Sequence, residues 1–367
     1  MKKLNVLMTC LVVASCVVAL EAVAQEITYT GPPITIRYSH FAPDTHKWVK
    51  GAVDPWVELV AKESKGKLLI KKYFSATLHG PRDGFKACVN DITDMSVSHV
   101  SQQASSFNLL PVLTLPFAFE RAAVGAKVAE ELSPKYFKKE IEKMGVYFAG
   151  AHPTSTYHFL TKKPIRKLED MKGMKIRSTG GPNAEMLKLM GAVPITLTPG
   201  EQYSAFQRGM VDGICMYHGG FVSYRLHEIG KYVTELSFVA GFNEHSLNRK
   251  TFDNLPNDLK KYFYNMLRRF HQMSGIAYDK IESDARREVI AKGIEIITPT
   301  PSEKAKFVKA VMPIWEIFIR NNEKLGLPAR ELVDEYGRLA KKYSSWTDEQ
   351  LLKDATENPV HGIIDGM

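Results

Sequence analysis

Arg177 is the residue of this chain best placed to hold an anion. Lys175, Ile176 and Arg177 alternate polar and apolar in the manner of a short strand, and Ser178-Thr179-Gly180-Gly181-Pro182 is a cluster of turn formers that ends a strand and opens a helix. A guanidinium at such a place offers a planar fork of parallel donors that matches a carboxylate. A further strand is expected over 211–216, and Met216, Tyr217 and His218 stand at its carboxyl end. Open α/β sheets take their ligands outside the carboxyl ends of their strands, so one crevice can serve all four residues. The competing reading, a solvated charge or half of a structural ion pair, is general for arginines, and the strand-end position is what favours ligand contact.

The elements that must position these residues are legible around them. A helix over 183–190 ends at Gly191, where a residue without Cβ adopts positive φ at little cost. A strand follows over 193–197. Thr198, Pro199 and Glu201 then have the form of a capping box, which predicts a helix from there to Gly209. The same order of elements precedes it in the chain. Strand 34–38 leads to a loop with His40, and an apolar-periodic helix runs through Trp48, Trp56, Leu59 and Val60. Pro55 predicts a kink there or a restart with Asp54 as N-cap. After Gly66 come strand 67–73, a helix near 81–89 and strand 94–97 ending at Ser98 and His99. Two βαβαβ units that face each other with their strand ends form a cleft. The proline-rich apolar segment 108–117 suits packing between lobes. Residues 255–292 carry helical periodicity without proline, enough for about 50 Å of helix, with Gly275 its weakest point. A strand at 294–297 and further helices from Pro301 complete the reading.

The chain begins with Lys2 and Lys3, an apolar run from Leu4 to Leu20, and Ala22-Val23-Ala24 before Gln25, the form of a secretory signal cleaved near Gln25. Export, with a periplasmic address, is therefore expected. Cys16 also lies in a lipoprotein-like box, but the residues after it stay apolar, which disfavours lipidation. The formal charge is +9, or one unit less once Lys2, Lys3 and Glu21 are removed. The lysines are spread along helix faces, which suits a soluble basic surface around one anion site better than nucleic-acid binding. Cys88, on a helix, and Cys215, on a strand of the other unit, remain after cleavage, and a disulfide between them is not expected.

Longer stretches carry a family resemblance. Asp170-Met171-Lys172-Gly173-Met174-Lys175-Ile176-Arg177, Gly191-Ala192-Val193-Pro194, Glu201 to Gly209 and Val211-Asp212-Gly213 occur in order, preceded by Leu78-His79-Gly80-Pro81-Arg82 and Leu115-Pro116-Phe117-Ala118-Phe119. With them the chain resembles the DctP-type solute-binding proteins of TRAP (tripartite ATP-independent periplasmic) transporters over nearly all of its mature length. The resemblance implies a type II-like, two-lobed α/β periplasmic binding protein, each lobe a mixed sheet flanked by helices, with a long helix crossing both. The lobes expected are 25–149 with about 238–300, and 150–237 with about 301–367, the helix of about 255–292 being shared and the bends lying near Ala149-Gly150 and Ser237-Phe238. It implies an organic-acid ligand whose carboxylate pairs with Arg177, and the small and large membrane subunits of a permease as partners. A monomer is expected, with no cofactor, metal or nucleic acid.

Two departures from the family pattern narrow the ligand. A second arginine about twenty residues before the first is replaced by Thr156-Tyr157-His158, and Glu-Asn-Pro after Val-Asp-Gly is replaced by Cys215-Met216-Tyr217. Thioether and aromatic faces complement apolar ligand surface, which favours a monocarboxylate with a hydrophobic or aromatic body over a small diacid. The site expected comprises Arg177, Tyr157, Met216 and Tyr217, with His40, His99 and His218 for the ligand's far polar end and Pro199 contacting through shape. The alternatives are a C4-dicarboxylate or keto-acid receptor of the same kind and a periplasmic ligand sensor. A secreted enzyme is disfavoured, since H-E-x-x-H, G-x-S-x-G, a P-loop and a dinucleotide glycine pattern are all missing from the sequence.

Overall fold

The structure, a computed structural model, describes residues 26–367. The apolar run, Cys16 and the cleavage site lie outside the described residues. Among the described residues, eleven strands form two sheets. The first contains β1 (Ile34–Ser39), β2 (Leu68–Tyr73), β3 (Met95–His99), β4 (Tyr147–Thr156) and β10 (Ala240–Leu247). The second contains β5 (His158–Thr161), β6 (Lys175–Ser178), β7 (Val193–Thr196), β8 (Gly213–Met216), β9 (Tyr232–Thr234) and β11 (Glu295–Ile297).

The two sheets are built alike. In the first, the order β2-β1-β3 is parallel and β10 joins antiparallel to β3; in the second, β7-β6-β8 is parallel and β5 joins antiparallel to β8. Each parallel trio is doubly wound, which places its carboxyl ends on one edge and a switch point at its middle strand. The helix Gly181–Leu189 ends as its sequence predicts: Gly191 takes φ +87°, and Gly191 N–H and Ala192 N–H bond the carbonyls of Lys188 and Leu187 in a Schellman closure.

Several expectations are corrected. The chain leaves the first sheet at Tyr157, because β4 runs straight through Ala149 and Gly150. It returns between β9 and β10, across 235–239, and crosses again through the long helix to β11, which belongs to the second sheet although 238–300 was assigned to the first lobe. The C-terminal helices divide. Pro301–Val311 and Pro313–Glu323 pack on the helix Gly181–Leu189, whereas Ala329–Tyr343 and Asp348–Glu357 pack on the helix Ala122–Leu132 of the first lobe. Thr198 is no N-cap, because its hydroxyl donates to the Glu201 carboxylate (2.6 Å) and the helix starts only at Gln202. Nor does Asp54 cap. A wide π turn over Val49–Val53 runs straight into the helix Asp54–Glu63, with Pro55 at its second position, and Asp54 pairs with Lys72 at 2.5 Å instead of capping.

The long helix, Asn257–Ala291, is continuous through Gly275. A Cβ there would stand 2.7 Å from the Ala122 carbonyl oxygen and 2.8 Å from the Ala123 Cα, so this glycine lets the start of the helix Ala122–Leu132 rest directly on the long helix. Asp279, one turn on, accepts from the N–H groups of Ala122 and Ala123 at 2.7 and 3.0 Å. The apolar segment after Asn108 is buried, and the Glu140 carboxylate accepts the backbone N–H groups of Asn108, Leu109 and Leu110 at 2.6, 2.9 and 3.0 Å. No helix among the described residues is long and apolar enough to cross a membrane.

Candidate functional site

The strand ends of the two sheets face one another across a narrow, largely filled cavity, set between the lobes where small molecules are commonly bound. The second lobe contributes Arg177 from β6, Thr179 and Pro199 from the loops after β6 and β7, Met216 from the end of β8, and Tyr217 and Tyr224 from either side of the helix His218–Ser223. The first lobe contributes His40, Phe41, Ala42 and His46 after β1, His99 at the end of β3, Thr154 on β4 and Asn243 on β10. Tyr157, the single residue linking β4 to β5, and Tyr278 of the long helix complete the wall. Gly181 permits the lobes to close this far, since a Cβ there would stand 2.8 Å from the Ala104 Cβ and 2.9 Å from the Ser101 carbonyl oxygen of the other lobe.

Arg177 is wholly buried. Its Nε and Nη2 both donate to the Leu197 carbonyl, at 3.2 and 2.9 Å, while Nη1 has no partner among the described residues. Burial lowers its pKa from the ordinary value, with Tyr157, Cys215, Tyr224 and Tyr217 acting the other way; no carboxylate hydrogen-bonds it, although Glu201, held below the usual carboxylate range chiefly by Thr198, also feels its charge. Holding a cation this way costs several kcal/mol unless an anion compensates it. The three cavity histidines are neutral near pH 7: burial pushes His46 down to about 4 and His99 down to about 3, with the nearby Arg177 charge adding to the latter, and takes His40 well below its ordinary value. Among the described residues the lining thus carries one positive charge and no negative one.

The body of the cavity is aromatic. Tyr157 and Tyr217 stack at 6.0 Å, and Tyr278 meets Tyr217 edge-on at 5.5 Å. His46 ties the lobes together. Its Nδ1 accepts from the Trp48 N–H (3.1 Å), which leaves the proton on Nε2 to donate to the Tyr217 hydroxyl, also at 3.1 Å.

Of the residues expected at the site, Arg177, Tyr157, Met216, Tyr217, His40, His99 and Pro199 line the cavity. His218 does not. As first residue of the helix Ser223 closes, it turns toward the long helix, its Nδ1 2.7 Å from Glu282 and its Nε2 3.3 Å from Glu235, and His158 donates to the same Glu282 at 3.1 Å. The sequence reading missed His46, Thr154, Thr179, Tyr224, Asn243 and Tyr278. Tyr278 had a signal, since it lies on the long periodic helix, but periodicity marks a buried face and not what that face meets.

Two side-chain groups have metal-ligand composition, His158 with His218 and Glu282, and His152 with His245 and His271. In the first, His158 Nδ1 accepts from the Ser237 N–H (3.4 Å), so its Nε2 proton points at Glu282 where a metal would need a lone pair. In the second, burial and then the nearby Arg268 charge lower the pKa of His271, and a dication there would face that same repulsion.

Comparison with known proteins agrees with this geometry. The family model described as bacterial extracellular solute-binding protein, family 7 (DctP), matches residues 38–321. The chain is 22% identical over 289 residues, 78% of its length and 86% of the relative's, to the C4-dicarboxylate-binding periplasmic protein DctP of Vibrio cholerae. Its fold is similar to a TRAP solute-binding protein of Rhodoferax ferrireducens solved with copurified benzoate, with a TM-score of 0.81 and 20% identity, covering 85% of this chain and 98% of that one. It is similar as well to one of Bordetella bronchiseptica solved with (R)- and (S)-mandelate, with a TM-score of 0.79 and 23% identity, covering 84% and 99%. The chain belongs to the DctP family of bacterial extracellular solute-binding proteins, the solute-binding proteins of TRAP transporters.

Proposed function

We propose that this protein captures a monocarboxylate with an aromatic body between its lobes, in the periplasm, and delivers it unaltered to the small and large membrane subunits of a TRAP transporter. The observation that carries the reading is the charge inventory of the cavity, one buried arginine with an unpartnered nitrogen and neither a second cation nor a carboxylate. A monoanion balances that inventory. A diacid would bury a second carboxylate among neutral histidines, which costs several kcal/mol. Tyr157, Tyr217, Tyr224, Tyr278 and Met216 supply faces that suit an aromatic ring. The benzoate and mandelate found with proteins of similar fold support the same class. The ligand bridges lobes joined by Tyr157 and by 235–239, and closure follows because the closed arrangement alone offers it both walls.

Isothermal titration calorimetry with benzoate, phenylacetate and succinate tests the reading. Binding of an aromatic monocarboxylate at least about tenfold tighter than succinate, a difference of about 1.4 kcal/mol, is expected. Succinate binding with no response to any aromatic acid overturns it in favour of a C4-dicarboxylate receptor, the function named for the Vibrio cholerae relative.

A further inference from the structure

Arg177 accounts for one end of a ligand, and the wall from the other lobe holds polar atoms that it leaves unexplained. The His40 Nδ1 accepts from the Ala42 N–H at 2.8 Å, which fixes the tautomer and puts the ring proton on Nε2. That Nε2 is buried and has no partner among the described residues. Asn243 stands on β10, two strands along the sheet from β1, with β3 between them. The antiparallel ladder pairs it with His99 on β3, so the two side chains share one face of the first sheet. The Asn243 Oδ1 and the His99 Nδ1 are likewise buried without partners among the described residues. All three residues line the cavity, and all are at least nine-tenths buried. Thr154, beside them in the lining, is satisfied: its hydroxyl donates to the Ser155 carbonyl at 3.0 Å and accepts from the Gly241 N–H at 3.1 Å.

The set is therefore a donor of fixed tautomer, an acceptor, and an imidazole that can serve as either. Most buried polar groups in folded proteins are paired, so three orphans on one cavity wall ask for a common partner. We infer that His40, His99 and Asn243 form a subsite for a group that both accepts and donates a hydrogen bond, so that the ligand is an aromatic monocarboxylate bearing a hydroxyl remote from its carboxylate. The hydroxyl oxygen accepts from His40 Nε2–H and its proton goes to the Asn243 Oδ1, with His99 beside them. The inference rests on the aromatic monocarboxylate reading and deepens it. It also gives each lobe its own hold on the ligand, the carboxylate on Arg177 of one and the hydroxyl on the strand ends of the other.

The test is calorimetry on the native protein with benzoate, the three hydroxybenzoates and their methoxy counterparts, and with phenylacetate and its ring-hydroxylated forms. The expected result is that one hydroxylated isomer binds more than about tenfold tighter than its unsubstituted parent, since one unmade buried hydrogen bond is worth about that factor. Methylating that hydroxyl removes its donor and is expected to erase the gain. Asn243→Leu should abolish the advantage of the hydroxylated ligand over its parent, so that the two bind alike, a loss of discrimination that a merely structural role would not produce. Equal affinity of all hydroxylated and unsubstituted acids, or a methoxy acid that binds as well as the hydroxy acid, overturns the subsite and leaves the monocarboxylate reading standing. A response to none of the aromatic acids overturns both.

Discussion

Replacing Arg177 by methionine should remove binding without weakening the unliganded protein. The side chain is fully buried, no carboxylate hydrogen-bonds it, and among the described residues only the Leu197 carbonyl receives its protons. Methionine fills a similar length with apolar atoms. In the free protein the exchange returns several kcal/mol of desolvation penalty and sacrifices the hydrogen bonds to Leu197, a loss of about 1–3 kcal/mol. The net change is close to zero or stabilising. In the complex the balance reverses, because the ligand carboxylate is left buried and unpaired at a cost of about 3–5 kcal/mol. That corresponds to roughly 10²- to 10⁴-fold in Kd. Arg177→Lys keeps a point charge but not the planar fork, and should fall between the two. Calorimetry gives the affinities, and thermal denaturation with and without ligand gives the stabilities. Two results refute the reasoning: binding by Arg177→Met within about tenfold of the native protein, or a melting temperature of the free variant far below that of the native chain, which would make Arg177 a structural residue.

Two further outcomes follow from groups outside the cavity. Burial opposes the charge of His218, but the Glu235 carboxylate facing its Nε2 and the hydrogen-bonded Glu282 hold its pKa above the ordinary value. A raised pKa contributes stability that is complete below about pH 6.5 and is lost as pH rises through the folded value, so the native melting temperature should decline on the alkaline side relative to His218→Gln, and parallel profiles would contradict this. Gly275→Ala gains about 1 kcal/mol of helix propensity but drives a methyl into the Ala122 carbonyl, a fixed backbone atom, and urea denaturation should show a net loss of about 1–2 kcal/mol, whereas a gain would mean that the two helices do not touch.

The parallel trios were legible because their strands are apolar runs bounded by turn formers: 34–38, 67–73, 175–177 and 193–197 lie within a residue or two of the observed elements. The strands that join the trios to the rest were not. β4 reads Tyr-Phe-Ala-Gly-Ala-His-Pro-Thr-Ser-Thr and β10 reads Ala-Gly-Phe-Asn-Glu-His-Ser-Leu, sequences in which glycine, proline and buried polar residues hide the alternation. Pairing across the sheet sustains them, and it cannot be seen from either segment alone. The same failure put the passage between lobes at Ala149-Gly150 and concealed Asn243, which becomes a site candidate only once β10 is known to lie beside β3. Arg177, Met216 and Tyr217 were found because they lie at or next to the carboxyl ends of their strands. His218 was misjudged because a helix starts at that very residue and turns its ring toward Glu235 and Glu282, partners 17 and 64 positions further on.

Tyr157 occupies the only position between β4 and β5, and its ring is also part of the cavity wall, stacked on Tyr217. Rotation of one sheet against the other turns the chain at this residue as well as at 235–239 and along the long helix. A guest held against that ring therefore sits on the fulcrum itself and not out along the lever arms, where small displacements of the cargo translate into large sweeps of the lobe surfaces. The outer face of the protein can in this way announce whether the interior is occupied without the cargo ever being exposed.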